Sequence, residues 1–247
     1  CEIMTRPVVS ACAMTEEAQP FLEALEPDAS VEVPVLPAGF RGPADFRGGI
    51  LQGHPVVIAT TGIGMTNAAL AATVVASQLR PRAVVFAGTT GGLGANVHLG
   101  DVVVSEAALY HDADATAFGY APGQIPQMPE KYPADPWLRA TASGALRAKG
   151  LAFHTGTISA SNSFVSGGQV EPVRARFGDV LAVDMETAAG AQVCWSFSIP
   201  WVSLRAISDL CDPNAGEVYD QSAPSAAATS FAAVESLLGS PPHRLHP

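Results

Sequence analysis

Positive charge is scarce in this sequence: 13 Lys and Arg stand against 23 Asp and Glu in 247 residues, a formal net charge of −10. A nucleic-acid partner needs a basic face to neutralise phosphates, and an anionic membrane surface needs a polybasic patch. Neither partner is expected. Long apolar runs are missing too. The longest, near 68–76, is broken by Thr73 and falls far short of the roughly 20 residues that cross a bilayer, and no basic-then-apolar leader precedes Thr5. Cysteine is sparse. Cys1, Cys12, Cys194 and Cys211 show neither CxxC pairing nor the His spacing of a zinc site. Cys12 and Cys194 lie in apolar contexts, where free thiols are buried, and a reducing cytoplasm fits them.

What is present is interior. Hydrophobic residues make up 48% and charged ones 15%, enough for one large α/β domain over 1–247, with loose ends at 1–6 and 239–247. Apolar β-prone runs at 7–13, 31–36, 44–51, 55–60, 83–87, 101–109, 151–159, 180–183 and 201–207 read as strands. Helical stretches at 15–25, 66–79, 135–149, 171–177, 186–197 and 222–238 come between them. Thr15 fits an N-cap, with Glu16 and Glu17 as solvated first-turn carboxylates. The segment 211–219 reads as a loop.

Several stretches carry chemistry. At Leu181-Ala-Val-Asp-Met-Glu an apolar run ends on Asp184 and Glu186 around Met185. Desolvating two carboxylates is costly unless they are paired or bind a ligand, and ligands of open α/β sheets lie at the carboxyl ends of strands. Two such acids suit a polyhydroxylated substrate. Gly88-Thr-Thr-Gly-Gly-Leu-Gly follows a strand but has neither dinucleotide spacing nor a P-loop Lys; it is either a tight connection or a ligand loop. Arg205 sits inside the apolar run Trp201–Ile207, so a carboxylate must lie nearby, and Ser208-Asp209 follows at that strand's end. His111, Asp112 and Asp114 crowd within four positions without a second cluster, so no metal is expected. The long irregular segment 110–133 carries Phe118 and Tyr120 as a wall over a ring-containing ligand or as a subunit contact. Glu186, Asp209 and Glu17, gathered at one rim, would suit acid–base cleavage of a glycosidic bond.

Gly88-Thr-Thr-Gly-Gly-Leu, Gly100-Asp-Val-Val-Val-Ser, Tyr110-His-Asp-Ala-Asp-Ala-Thr-Ala-Phe-Gly-Tyr, Val183-Asp-Met-Glu and Arg205-Ala-Ile-Ser-Asp closely resemble bacterial 5′-methylthioadenosine/S-adenosylhomocysteine nucleosidases of the nucleoside phosphorylase/hydrolase superfamily. The resemblance runs in order from about Val8 to Leu238. It implies a three-layer αβα sandwich around a mixed sheet, no cofactor, a small nucleoside substrate and a homodimer with shared sites. Residue by residue it implies Asp209 as the acid at adenine N7, oriented by Ser208, and Glu17 as the base that activates water. Arg205 and Thr89 lie near that water, so that Arg205 finds its carboxylate there. Glu186 and Met185 hold the ribose, Phe164 and the backbone of Val165 hold adenine, and Ile63 and Tyr219 line the 5′-alkylthio pocket. Met14, Phe118, Tyr120 and Pro126 match its partner-subunit wall.

The chain departs from the usual pattern at Thr89-Thr90 (Ser-Ala), at Asp184 (Glu) and in the segment 211–219. Rival readings are a phosphate-dependent phosphorylase of the same fold, a nucleosidase for another 5′-modified adenosine, and a nucleoside binder without catalysis. Phosphorylases hold phosphate with several arginines, whereas the turn Ala13-Met-Thr-Glu-Glu offers carboxylates and Phe86-Ala precedes Gly88 where such enzymes tend to carry Arg.

Overall fold

A computed structural model describes residues 6–240. Cys1 and the expected loose ends, save Arg6, Gly239 and Ser240, lie outside the described residues. The strands are β1 (Val8–Cys12), β2 (Glu26–Pro27), β3 (Asp45–Leu51), β4 (His54–Thr60), β5 (Ala83–Gly92), β6 (Val102–Tyr110), β7 (Tyr132–Pro133), β8 (Phe153–Ala160), β9 (Val180–Asp184) and β10 (Trp201–Asp209). The α-helices are α1 (Thr15–Ala24), α2 (Met65–Leu79), α3 (Pro136–Lys149), α4 (Val170–Arg176), α5 (Thr187–Ser196) and α6 (Ala215–Leu238).

One mixed sheet runs β10-β6-β8-β9-β5-β1-β4-β3-β2, and β10 also pairs with β5, so five strands close into a ring. Alternate residues of β1 feed two cores. Val8 and Cys12 of β1 join Phe21 of α1, Leu138 and Leu146 of α3, and Val234 and Leu237 of α6. Val9 and Ala11 point the other way, to Ala68 and Val75 of α2 and Ala188 and Cys194 of α5. Helices therefore cover both faces, which is why these strands read as unbroken apolar runs. Each fully buried Phe, Leu or Val stabilises the sandwich by about 1.5–3 kcal/mol.

Four expectations change. Segment 31–36 forms no strand: Pro34 and Pro37 lack ladder donors, Val35 is exposed, and its N–H and C=O bond the Gln78 side chain instead. The Gly-rich stretch is largely strand, since β5 continues to Gly92. Its glycines are there for close approach: a Cβ on Gly91 would meet Cys211 Sγ at 2.6 Å, and one on Gly92 would meet Val97 at 2.9 Å. This lets β9 pair with Gly91 and Gly92 while β10 runs alongside. Ser208 and Asp209 belong to β10 itself, and α6 begins at Ala215, so Tyr219 is helical. Met14, not Thr15, is the N-cap of α1.

Candidate active site

The carboxyl ends of β1, β5, β9 and β10 surround a cavity of about 400 Å³, closed by Phe164 on one side and by Gly216, Tyr219 and Asp220 of α6 on another. Four buried acids line it, each with different partners.

Glu17 stands in the first turn of α1 yet is 2% exposed, which overturns its reading as a solvated first-turn charge. Its Oε2 accepts from the amides of Ala13 (2.9 Å) and Met14 (3.2 Å), and Oε1 from Thr89 N (2.9 Å) and Thr89 Oγ1 (2.8 Å). All four groups donate, so the carboxylate serves as an acceptor throughout. The turn from β1 to α1 fixes it on one side and β5 on the other. Gly88 makes the approach possible: its φ is +121° and a Cβ there would lie 2.5 Å from Glu17 Cδ. Gly88→Ala combines backbone strain with a collision against a pinned carboxylate, and we expect it to lower stability by about 3 kcal/mol, measured by denaturant unfolding.

Arg205, 2% exposed in mid-β10, does need carboxylates, but not the one implied by the resemblance. Its Nη2 lies 3.1 Å from Glu186 Oε1 and its Nε 3.3 Å from Asp184 Oδ2, the latter at ion-pair distance without hydrogen-bond alignment. It reaches Glu17 only through Thr89, whose carbonyl accepts from Nη1 at 2.9 Å. Glu17 is already satisfied by four donors, while the two acids at the end of β9 have no other Lys or Arg as an ion-pair partner among the described residues.

Within that triplet the acids divide the work. Asp184 Oδ1 accepts from the amides of Glu186 (2.9 Å) and Thr187 (2.8 Å), and its Oδ2 accepts from Thr187 Oγ1, so it anchors the start of α5 from two residues before the N-cap, Glu186. Glu186 faces the cavity with Oε2 accepting from Gly64 N at 3.0 Å. Burial pushes Glu186 up to about 7; Arg205 opposes the rise and Asp184 adds to it.

Asp209 is 1% exposed. Ser208 Oγ donates to its Oδ2 (3.1 Å) and the Cys211 amide to its Oδ1 (3.0 Å). Burial raises its pKa above the usual carboxylate value, against these two donors. The register of β10 on β5 slips between Ile207 and Asp209. This bulge turns Ser208 and Asp209 together into the site, although alternation in a regular strand would send them to opposite faces.

Phe164 and Tyr219 meet edge to face at 6.1 Å, and Tyr219 Oη donates to Met14 Sδ at 3.6 Å. Ile63, Thr89 and Met185 also line the cavity, while Val165 lines an adjoining recess with Phe164 and Asp209. Met14, expected from a partner subunit, lines the cavity of its own chain. Phe118, Tyr120 and Pro126 do not; they lie in the irregular segment after β6, with Phe118 83% exposed. Sequence reading missed Asp220, Gly216 and the amides of Gly64 and Cys211. Backbone donors leave no side-chain signal, and Asp220 has no motif of its own in a stretch that reads as loop up to Tyr219.

This arrangement has relatives. The phosphorylase superfamily profile matches residues 7–239. The 5′-methylthioadenosine/S-adenosylhomocysteine nucleosidase of Geobacillus kaustophilus is 41% identical over 196 residues, which are 78% of this chain and 83% of the relative. The chain belongs to this nucleosidase family of the phosphorylase superfamily. Its fold agrees with that membership. The structure superposes with a TM-score of 0.88 and 34% identity on the Neisseria meningitidis family member in complex with methylthio-immucillin-A, over 96% of this chain and 100% of that one. Futalosine hydrolase of Helicobacter pylori superposes with a TM-score of 0.85 at 26% identity, over 95% of this chain and 98% of that one. The mixed sheet between two helical layers is thus the family's architecture as well as the one expected from the motifs. Among the described residues no helix is long and apolar enough to cross a membrane.

Proposed function

We propose that this nucleosidase-family chain hydrolyses the N-glycosidic bond of 5′-alkylthio-adenosines, methylthioadenosine and S-adenosylhomocysteine among them, and releases adenine. The observation that carries the reading is the pairing in one cavity of Glu17, ringed by four donors, with Asp209, whose burial favours the protonated form. Two carboxyl groups in unlike surroundings suit opposite proton-transfer roles. Asp209 gives its proton to adenine N7 as the C1′–N9 bond breaks and the bonding pair passes to the base. Glu17, with Thr89 beside it, takes a proton from the water whose oxygen bonds to C1′. Ser208 orients the acid; Phe164 stacks on adenine and the Val165 backbone reads its edge. Glu186 accepts from the ribose hydroxyls, Met185 packs on the sugar, and Arg205 holds Glu186. Ile63, Met14 and Tyr219 form the wall around the 5′ substituent.

Phosphate is a poor fit as nucleophile. Arg205 is the one cation among the described residues lining the cavity, and Asp184, Glu186 and the Thr89 carbonyl occupy it. The reading extends to the chain working as one nucleosidase domain and pairing as a homodimer in which Phe118, Tyr120 and Pro126 of a second copy wall the open 5′ end. The exposed Phe118 and an apolar groove along Met65, Ala69, Leu70 and Val74 support the pairing. Buried free thiols at Cys12, Cys194 and Cys211 support a cytoplasmic setting.

The test is base release from methylthioadenosine, S-adenosylhomocysteine, 5′-deoxyadenosine and inosine. Fast adenine release from the first two with negligible cleavage of inosine supports the reading; no adenine from any of them ends it. Glu186 adds a pH signature. Its carboxylate accepts ribose hydroxyls only when ionised, and that form prevails above about 7 and is lost below it. KM for methylthioadenosine is expected to rise about tenfold from pH 8 to pH 6, following the ionised fraction, and a flat KM over that range would remove Glu186 from ribose binding.

A further inference from the structure

Five carboxylates line the cavity: Glu17, Asp184, Glu186, Asp209 and Asp220. Four are buried and held by donors. Asp220 is exposed and has no hydrogen-bond or ion-pair partner among the described residues.

Its place in the site follows from its neighbours. Phe164 and Asp209 mark the base end and Glu186 with Met185 the ribose. Of the remaining wall, the apolar side chains Met14 and Ile63 and the ring of Tyr219 face the group on ribose C4′, and Asp220 follows Tyr219 on α6 at the rim of that wall. Gly216 lies one turn earlier on the same helical face, four residues before Asp220. A Cβ at Gly216 would meet nothing within 4 Å, so within a single copy the rim beside Asp220 is open. A 5′ tail longer than methylthio leaves the cavity there and passes a free carboxylate in a site whose one lining cation among the described residues is already paired.

We propose that Asp220 is a specificity-determining residue that selects 5′-thioether tails carrying an ammonium group over neutral tails, and neutral tails over acidic ones. This rests on the nucleosidase reading and sharpens its substrate class. Pairing at an exposed rim gives a modest preference that salt screens, and it acts on substrates in proportion to tail charge, which a structural role would not do.

The test compares kcat/KM for 5′-aminopropylthio-, 5′-methylthio- and 5′-carboxyethylthio-adenosine in the full chain, in Asp220→Asn and in Asp220→Lys. In Asp220→Asn the amino-to-methyl ratio falls about fivefold and the carboxy-to-methyl ratio rises. In Asp220→Lys the carboxylate tail overtakes the amino tail. Raising salt moves the unsubstituted chain's ratios toward those of Asp220→Asn. Ratios identical in all three proteins, or an equal loss on all three substrates, overturn the specificity role while leaving the hydrolase reading intact. Failure of the unsubstituted chain to cleave any of the three overturns both.

Discussion

Asp209→Asn is expected to lower kcat for adenine release by about 10³-fold while binding of a non-hydrolysable substrate analogue changes by less than about tenfold. The substitution is nearly isosteric, so the oxygen facing the Cys211 amide can stay and the site keeps its shape. What disappears is a transferable proton. An amide can donate a hydrogen bond to N7 but cannot protonate it, and general acids contribute about 10²–10⁴ in rate. Because the missing contribution belongs to the transition state, the loss falls on kcat rather than on KM. Unchanged turnover would sink the acid assignment. Loss of analogue binding in step with turnover would show that the variant had damaged the pocket instead.

Glu17→Gln is the second large effect, and it should show two signatures. Turnover falls about 10³-fold because water loses the group that takes its proton. Stability falls as well: four donors surround the Glu17 carboxylate, and a Gln turns an NH₂ toward two of them. Leaving buried donors unpaired costs about 1–3 kcal/mol each, so a drop in Tm accompanies the lost activity. The two signatures separate in Thr89→Val, which removes one side-chain donor to Glu17 and keeps the base. Full hydrolysis by Glu17→Gln would take the base role away from this residue.

Much of this was legible in the sequence, for reasons that differ from residue to residue. Apolar runs buried on both faces mark the central strands whatever the topology, and an Arg inside such a run must be paired. The end of β9 could be read because two acids at a strand terminus are costly without a purpose. The structure separates Asp184, which anchors the start of α5, from Glu186, which faces the cavity, although both pair with Arg205. Other features depend on tertiary contacts that leave no local trace. Glycine is a poor strand former, so Gly88–Gly92 reads as a turn until β9 and β10 are seen pressed against it. A glutamate in a first helical turn normally serves the helix dipole in water, and only the fold of β5 over α1 buries Glu17. The bulge that brings Ser208 and Asp209 into one site has no signature in Ala-Ile-Ser-Asp. Proline accounts for the opposite error at 31–36, where β-branched residues suggested a strand that Pro34 and Pro37 do not allow.

If the cavity activates water and not phosphate, the oxygen that bonds to C1′ comes from solvent. Methylthioadenosine turned over in oxygen-18 water, with and without inorganic phosphate, tests it directly. Adenine and labelled methylthioribose are expected, at a rate unchanged by phosphate; a phosphate-dependent rate with methylthioribose 1-phosphate as the product would overturn water as the nucleophile.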